Sequence, residues 1–243
     1  MTTDANTAAV VGAAGGVGAT RIAVELGATL ARAGRDVALL DAAYATQGLA
    51  SHVEGRLDPD VTALVTGADA DLEAGLAAFD LDAPGTLACC PAHAPFERVA
   101  RAKTPEAARA LERLLDRAAA DFEYALVDVP PVAANQSVAA VTAADRTALV
   151  TRPTARGVDA LQRARGRLAD LGAAPTCTVA NRADEATDAD RAVPESDRTG
   201  VPSEPACAGG DDPMAPAVAA LAETLFDADL DLSFSRGLLG SRL

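Results

Sequence analysis

The sequence predicts a single α/β domain of three layers, with a mostly parallel, twisted sheet between helices on both faces. Short apolar segments alternate with amphipathic helical segments along most of the 243 residues, and this alternation is typical of parallel sheets covered on both sides. A chain of this length with 49% hydrophobic residues can bury the core of one domain. We predict one domain over residues 1–229 and a tail over residues 230–243.

The first half of the chain begins with a strand, a glycine-rich loop and a helix. The strand is predicted over residues 7–13 and the helix over residues 22–33, because apolar residues recur there with the periods of a buried strand and an amphipathic helix. The next predicted elements are a strand over residues 36–40 that ends at Asp41, helices over residues 60–65 and 71–79, and a strand over Thr86–Cys90.

The second half repeats the alternation. Its predicted elements are, in order, a helix from Pro105, a strand over residues 124–127, a helix over 137–144, a strand over 147–151, a helix over 158–171 and a strand over 176–180. Proline is favoured in the first turn of a helix, and Gly172 is a suitable residue to close one. Residues 183–213, rich in Asp, Glu, Pro, Gly and Ser, predict a long surface loop before a last helix over Ala215–Phe226.

The charge balance is strongly acidic, with 35 acidic and 21 basic residues and a net charge of −14. This charge opposes non-specific binding to nucleic acid, so DNA is not an expected partner. Lys103 is the one lysine of the chain. An acidic, alanine-rich chain that uses arginine instead is typical of halophilic proteins, in which surface charge maintains solubility. Without a long apolar run or a basic leader, the expected location is the cytoplasm.

Cysteine and histidine do not indicate a metal site. Cys89, Cys90, Cys177 and Cys207 lack the spacing of metal ligands, and adjacent residues of a strand point to opposite faces. We therefore predict reduced, structural thiols. The two histidines are far apart and have no partner pattern, so neither is assigned to catalysis or to a metal.

Four glycines lie at the end of the first predicted strand and in the loop that follows it: Gly12, Gly15, Gly16 and Gly18. A loop in this position can direct several backbone N–H groups at a phosphate, because ligands of open α/β sheets bind beyond the carboxyl ends of the strands. A tight turn from strand to helix also needs glycine when nothing binds there. The loop alone leaves both interpretations open.

Motifs elsewhere in the chain favour phosphate binding over a simple tight turn. The stretch from Ala14 to Thr20, AlaGlyGlyValGlyAlaThr, resembles the deviant Walker A loop of the MinD/ParA family, LysGlyGlyXaaGlyLysThr, with alanine at both lysine positions. Further motifs of that family have counterparts in the same order: Asp41 for the switch I aspartate, Asp128 with Pro130 and Pro131 for switch II, and Asn181 with Arg182 after a late strand. The resemblance covers residues 7–226 and implies a P-loop NTPase fold of the SIMIBI type.

The resemblance implies a role for each matched position. ATP or ADP would be held by residues of the loop and of the late strand: Gly15, Gly16, Val17, Gly18, Ala19, Thr20, Arg21, Asn181 and Arg182. Thr20 and Asp128 would hold Mg²⁺, Asp128 through a bound water, and Asp41 and Asp128 are the implied catalytic residues. Two alternatives stay open, namely that Asp128 caps the turn after its strand and that Asn181 is an ordinary loop residue.

The departures from the family pattern concern the charges that act on phosphate. Ala19 replaces the lysine that neutralises the β- and γ-phosphates, Ala14 replaces the lysine that reaches a partner's nucleotide across a dimer, and Ala43 replaces a second switch I aspartate. Electrostatic stabilisation is usually the largest contribution to phosphoryl transfer, so we expect hydrolysis to be slow or absent. Arg21 offers another cation, but one residue farther along a helix turns its side chain by about 100° from the lysine position.

Three functions follow from this resemblance. The first is a nucleotide-binding pseudo-ATPase that regulates or positions other molecules, as a homodimer or as a heterodimer with an active paralogue that supplies the lysine. The second is an active ATPase of cell division or of chromosome or plasmid partitioning, in which arginines replace the lysines. The third is an interaction scaffold that binds no nucleotide.

Two further segments leave alternatives open. A basic stretch contains Arg152, Arg156, Arg163, Arg165 and Arg167. Family members use late-helix arginines to hold DNA, but the acidity of the chain favours a solvated helix face. The tail, with Phe234, Leu238, Leu239 and Leu243, resembles the membrane-targeting helix of MinD by position, and its glycines favour a packing or flexible tail over peripheral membrane binding.

Overall fold

The computed structural model of the chain describes residues 5–55, 57–67, 71–198, 200 and 205–234. Within these residues, eight strands form one sheet with helices on both faces, which confirms the predicted three-layer α/β fold. The strands are β1 (Thr7–Gly12), β2 (Asp36–Asp41), β3 (Ala77–Ala78), β4 (Thr86–Cys90), β5 (Tyr124–Val129), β6 (Arg146–Thr151), β7 (Cys177–Asn181) and β8 (Arg191–Val193).

The helices cover the two faces of the sheet. They are α1 (Ala19–Arg32), α2 (Val61–Thr66), α3 (Leu72–Gly75), α4 (Phe96–Arg101), α5 (Pro105–Asp121), α6 (Asn135–Ala143), α7 (Ala155–Asp170) and α8 (Ala215–Phe226), with a 3₁₀ turn at Leu49–His52. Side-chain oxygens cap several of them; Thr104, for example, accepts from the backbone N–H of Ala107 at the start of α5.

The sheet has the strand order β3-β4-β2-β5-β1-β6-β7-β8. Every neighbouring pair is parallel except the antiparallel pair of β3 with β4. Because β1 lies near the centre, with β5 on one side and β6 on the other, the carboxyl ends of these three strands meet at one edge. We call this the carboxyl edge of the sheet.

The core consists of two apolar layers, one on each face. Alternate residues of a strand enter opposite layers: Val10 and Leu126 pack under α1 and α8, whereas Val11 and Val127 pack under α5, α6 and α7. The adjacent Cys89 and Cys90 also separate in this way, as predicted. All four cysteines are buried and form no disulfide, in agreement with structural thiols.

Two predicted segments differ from the structure. The helix predicted over residues 71–79 ends at Gly75, because Ala77–Ala78 pairs with β4 as an edge strand. The close packing of Gly75, where an added Cβ would lie 2.7 Å from Leu64 Cδ1, fixes that turn. The loop predicted over residues 183–213 contains β8 and a buried stretch at residues 205–208. The short helix α4 was not predicted.

The beginning of the tail packs against α1. Leu230 is buried, and the guanidinium of Arg32 lies 5.0 Å from the centre of the Phe234 ring and donates to the carbonyl of Ser233. Packing is therefore observed for residues 230–234. Leu238, Leu239 and Leu243, on which the membrane alternative depends, lie outside the described residues. In the part of the chain that the structure describes, none of the helices combines the length and apolar character needed to cross a membrane.

Candidate functional site

The glycine loop runs from the end of β1 to the start of α1 at the carboxyl edge of the sheet. Gly16 and Gly18 adopt φ values of 74° and 90°, a left-handed conformation that side chains disfavour. A Cβ at Gly18 would also collide with the side-chain amide of Asn181. The sequence folds this way because glycine is required here for both reasons.

Asn181 holds this loop from the neighbouring part of the sheet. It ends β7, is buried, and its Nδ2 donates to the carbonyl oxygen of Val17 at 2.8 Å. It is therefore a strand residue fixed against the loop rather than an ordinary loop residue. Arg182 follows with a φ of 57° and forms a half-exposed ion pair of 3.5 Å with Glu195.

Thr20 and Asp128 are in direct contact. The Thr20 hydroxyl donates to Asp128 Oδ2 at 2.6 Å, which joins the first turn of α1 to the end of β5. The sequence predicts a strand over residues 124–127, but β5 extends to Val129 and includes Asp128. The Asp128 side chain thus faces the glycine loop, and capping of the following turn does not describe its contact.

Asp41 is a fully buried carboxyl group beside Asp128. The two residues are paired in register at the ends of β2 and β5. Asp41 accepts hydrogen bonds from the backbone N–H groups of Ala43 at 2.7 Å and Ala92 at 3.0 Å. The structure therefore brings together three of the polar side chains of the predicted site, Asp41, Asp128 and Thr20.

Burial raises the pKa of both carboxyl groups. It raises the pKa of Asp128 to about 8, with a further increase from the charge of Asp41 and a partial decrease from the Thr20 hydrogen bond. Burial likewise raises the pKa of Asp41 to about 6, against the lowering effect of its two backbone hydrogen bonds. The ligand-free site therefore favours at least one neutral carboxyl group near neutral pH.

We expect the ligand-free protein to lose stability as the pH rises from 6.5 to 8. Folding raises the pKa of Asp128 from its ordinary 3.8 to about 8, so its contribution is fully present below 3.8 and is lost as the pH rises through 8. The expected loss over this interval is about 1–2 kcal/mol in the free energy of unfolding. Urea unfolding of metal-free protein at the two pH values measures it.

The chosen interval separates Asp128 from the buried histidine. Burial lowers the pKa of His52 below its ordinary value of 6.5, so this residue acts mainly below the interval and in the opposite direction. The variant Asp128→Asn serves as the control, and its stability should change little between pH 6.5 and 8. An equal loss in this variant, or a wild-type protein that is as stable at pH 8 as at pH 6.5, would contradict the assignment.

The oxygen atoms at this edge suit magnesium. Mg²⁺ prefers oxygen ligands and is usually held by one or two protein groups together with substrate phosphates and water. The Thr20 hydroxyl and the Asp128 carboxyl group form such a pair at the end of the glycine loop. A cation at this place would also favour the ionised form of Asp128. The residues present therefore fit a magnesium ion that is bound together with a phosphate.

The guanidinium of Arg21 forms an ion pair with the carboxylate of Glu25. Its Nε lies 2.5 Å from Oε1 of Glu25, one turn farther along α1, and its Nη1 donates to the carbonyl of Gly200 at 3.1 Å. Glu25 is fully buried and accepts from the backbone N–H groups of Ala206 at 3.0 Å and Cys207 at 2.7 Å. Arg21 and Glu25 thus hold the chain segment before α8 against α1.

A cavity of about 150 Å³ adjoins the glycine loop on the side of β7. Its walls come from the loop, α1, the end of β7 and the segment after β8: Gly18, Arg21, Asn181, Arg182, Pro194, Glu195, Ser196, Arg198 and Met214. The sequence predicts residues 183–213 as a solvated loop and gives no indication that the residues after β8 line this cavity. The one sequence signal for β8 is the short apolar pair before Pro194, which is too brief to identify a strand.

Two further buried polar groups near Asp41, those of Asp60 and Tyr44, were not predicted from the sequence. Asp60 caps α2, accepts from the backbone N–H of His93 at 2.8 Å and pairs with Arg98 at 3.0 Å. Tyr44 is fully buried, and its hydroxyl has no hydrogen-bond partner within the described residues. Burial, together with the charge of Asp41, raises the pKa of Tyr44 well above its usual value.

The family comparison identifies an AAA domain over residues 5–169. No curated protein sequence matches the chain. Solved structures match nearly all of it. The septum site-determining protein MinD of Pyrococcus horikoshii OT3, complexed with Mg-ADP, is 21% identical, with a TM-score of 0.73 and coverage of 90% of this chain and 94% of that one.

Two other structures give the same result. A ParA family ATPase from Chlorobium tepidum TLS is 17% identical, with a TM-score of 0.74 and coverage of 89% and 98% of the two chains. The MinC:MinD cell division complex of Aquifex aeolicus gives 21% identity, a TM-score of 0.71 and coverage of 94% and 99%. At these identities the likeness establishes the fold.

Proposed function

Because the chain belongs to the AAA domain family and has the fold of the MinD/ParA P-loop ATPases, we propose that it binds an adenine nucleotide and hydrolyses it slowly or not at all. Such a protein would act as a pseudo-ATPase that regulates or positions a partner. The observation that carries the proposal is the contact of Thr20 with Asp128 at the end of a glycine loop that has alanine at both lysine positions.

Three features support nucleotide binding. The loop keeps the left-handed glycines that place its backbone, and its N–H groups precede the N-terminus of α1, where the helix dipole favours an anion. The fitted magnesium ligands lie at the same edge, and bound Mg²⁺ would neutralise part of the phosphate charge. The cavity beside Gly18 and Asn181 would accept the base or the ribose.

The charges present argue against efficient hydrolysis. Ala14 and Ala19 carry no cation, and Ala43 carries no carboxylate, at positions where the family has charged groups. Loss of preorganised charge at a phosphoryl group costs orders of magnitude in rate. The structure also directs Arg21 toward Glu25, which counts against the alternative of an active ATPase in which Arg21 replaces the lysine.

The proposed function also includes binding to a partner protein and the formation of a dimer. One of the matched structures is a complex of MinD with MinC, so a protein partner is the expected target of this chain. Without a lysine at Ala14, a homodimer lacks the charge that would reach the second nucleotide. We therefore propose either a weak homodimer or a heterodimer in which an active paralogue contributes that lysine.

We expect Mg·ATP to bind with micromolar affinity and Asp128→Asn to weaken this binding about tenfold, because the variant loses a charge that acts on the cation. Isothermal titration in molar potassium chloride measures the affinity; we choose this salt because the acidic composition indicates a halophilic protein. Turnover is measured in parallel as phosphate release over hours.

The matched control is Asp116→Asn, which changes an exposed carboxylate of α5 and should bind ATP like the wild type. Turnover at rates typical of the family, lost in Asp128→Asn, would overturn the pseudo-ATPase and favour the active enzyme. Absence of binding heat at high protein concentration would favour the scaffold.

A further inference from the structure

Arg152 lies next to the glycine loop on the neighbouring strand. It directly follows β6, which pairs with β1, and the backbone N–H of Ala13 donates to the carbonyl of Val150 at 2.8 Å. The chain therefore reaches Arg152 two residues after the point where β6 contacts the start of the loop. This position is at the carboxyl edge, where the ligand of an open sheet binds.

The direction of the side chain follows from the pleat of β6. The Thr151 hydroxyl donates to the carbonyl of Gly157 in α7 at 2.8 Å, so Thr151 faces the α7 side of the sheet. Successive side chains of a strand alternate between the faces, which directs Arg152 toward the face of α1 and the loop. Asn181 of the adjacent β7 contacts the loop from this same face.

The backbone at Arg152 is held in place. Gly157 packs so closely against the Arg152 carbonyl that an added Cβ would collide with it, and the N–H of Thr154 donates to this carbonyl at 2.8 Å. Arg152 thus extends from a fixed turn at the end of a central strand, which limits the positions that its guanidinium can reach.

The guanidinium of Arg152 has an unused buried donor. Its Nε is buried and has no hydrogen-bond partner within the described residues. A buried donor of a charged group without a partner is costly, so it requires a partner outside the described protein atoms, such as water or a ligand. Arg21 differs, because its Nε already bonds to Glu25. Arg165 is likewise engaged, with the Thr178 hydroxyl at 3.0 Å.

We propose that Arg152 binds the phosphate groups of the nucleotide and supplies, from strand β6, the positive charge that Ala14 and Ala19 do not provide. The inference rests on the proposed function, since it assigns a residue to that same site. A guanidinium presents several donors in a fixed plane and suits phosphate oxygens. The exposed arginines of this stretch, Arg156, Arg163 and Arg167, lie beyond the turn, on α7.

The test compares Arg152→Gln with wild type by isothermal titration against Mg·ATP, Mg·ADP and adenosine. We expect Arg152→Gln to bind ATP and ADP roughly 10 to 100 times more weakly, as for loss of a hydrogen bond to a charged group. Binding of adenosine, which has no phosphate, should be unchanged. Arg152→Lys should retain part of the affinity for ATP, which shows that the charge is responsible.

Arg109→Gln, at an exposed position of α5, is the matched control and should bind all three ligands like the wild type. Thermal denaturation of each variant confirms folding. If the wild type binds ATP and Arg152→Gln binds it equally well, the assignment of Arg152 is wrong and the proposed function stands. If the wild type binds no nucleotide, both proposals are overturned.

Discussion

Glu25→Ala is expected to lower the free energy of unfolding by about 3–5 kcal/mol, as for other buried charge pairs from which one partner is removed. Glu25 is fully buried in α1 and accepts from Arg21, Ala206 and Cys207. Alanine would leave Nε of Arg21 and two buried N–H groups without an acceptor, and each unsatisfied group adds to the cost. Urea unfolding of the purified variant measures the loss.

Glu25→Gln and Asp116→Ala are the controls for this change. Glutamine keeps one acceptor oxygen without the charge, so its loss should be intermediate. Asp116 is an exposed residue of α5, and its replacement should change stability by less than about 0.5 kcal/mol. If Glu25→Ala also cost less than 1 kcal/mol, the anchoring of the segment before α8 would not depend on this carboxylate.

Ala19→Lys is expected to raise the affinity for Mg·ATP by roughly 10 to 100 times, because a charge-assisted hydrogen bond to phosphate would be restored. Ala19 is the first residue of α1, directly before Thr20, and is partly exposed. The new ammonium group would lie at the N-terminus of the helix, beside the backbone N–H groups that the glycines position. Isothermal titration under the conditions of the wild type gives the ratio.

Ala19→Gln separates charge from length, since its side chain extends from the same position without a positive charge. We expect it to bind ATP like the wild type. No gain for Ala19→Lys, or an equal gain for glutamine, would mean that the loop does not hold phosphate in the way that the family resemblance implies. Phosphate release by Ala19→Lys would further show that Asp41 and Asp128 remain competent for hydrolysis.

The sequence was sufficient to predict the fold where local patterns and global packing agree. Apolar strands and amphipathic helices alternate with clear periods, and the last helix was predicted with the boundaries that the structure has, Ala215–Phe226. The edge where the site lies could also be predicted, because the glycines, Asp41 and Asp128 all lie at or directly after the carboxyl ends of parallel strands.

The features that the sequence did not predict depend on contacts between residues distant in sequence. The strand β8 has three residues, and its pairing with β7 rather than its composition makes it a strand. The partner of Arg21 could not be predicted from the matched motifs, because they do not include Glu25. The backbone N–H groups of residues 206 and 207, which donate to Glu25, are distant in sequence. Similarly, the unused donor of Arg152 becomes visible only when the sheet is assembled.

The burial of Tyr44 gives the protein an intrinsic optical probe. The chain has no tryptophan and two tyrosines, so its ultraviolet fluorescence comes from Tyr44 and Tyr124. Tyr44 follows Asp41 by three residues and is shielded from water. Tyr124 lies at the start of β5, in a tilted ring contact with Phe226 whose ring centres are 4.6 Å apart. With Tyr124 replaced by phenylalanine, the emission would come from Tyr44 alone, and any movement of this segment could be followed in solution without an attached dye.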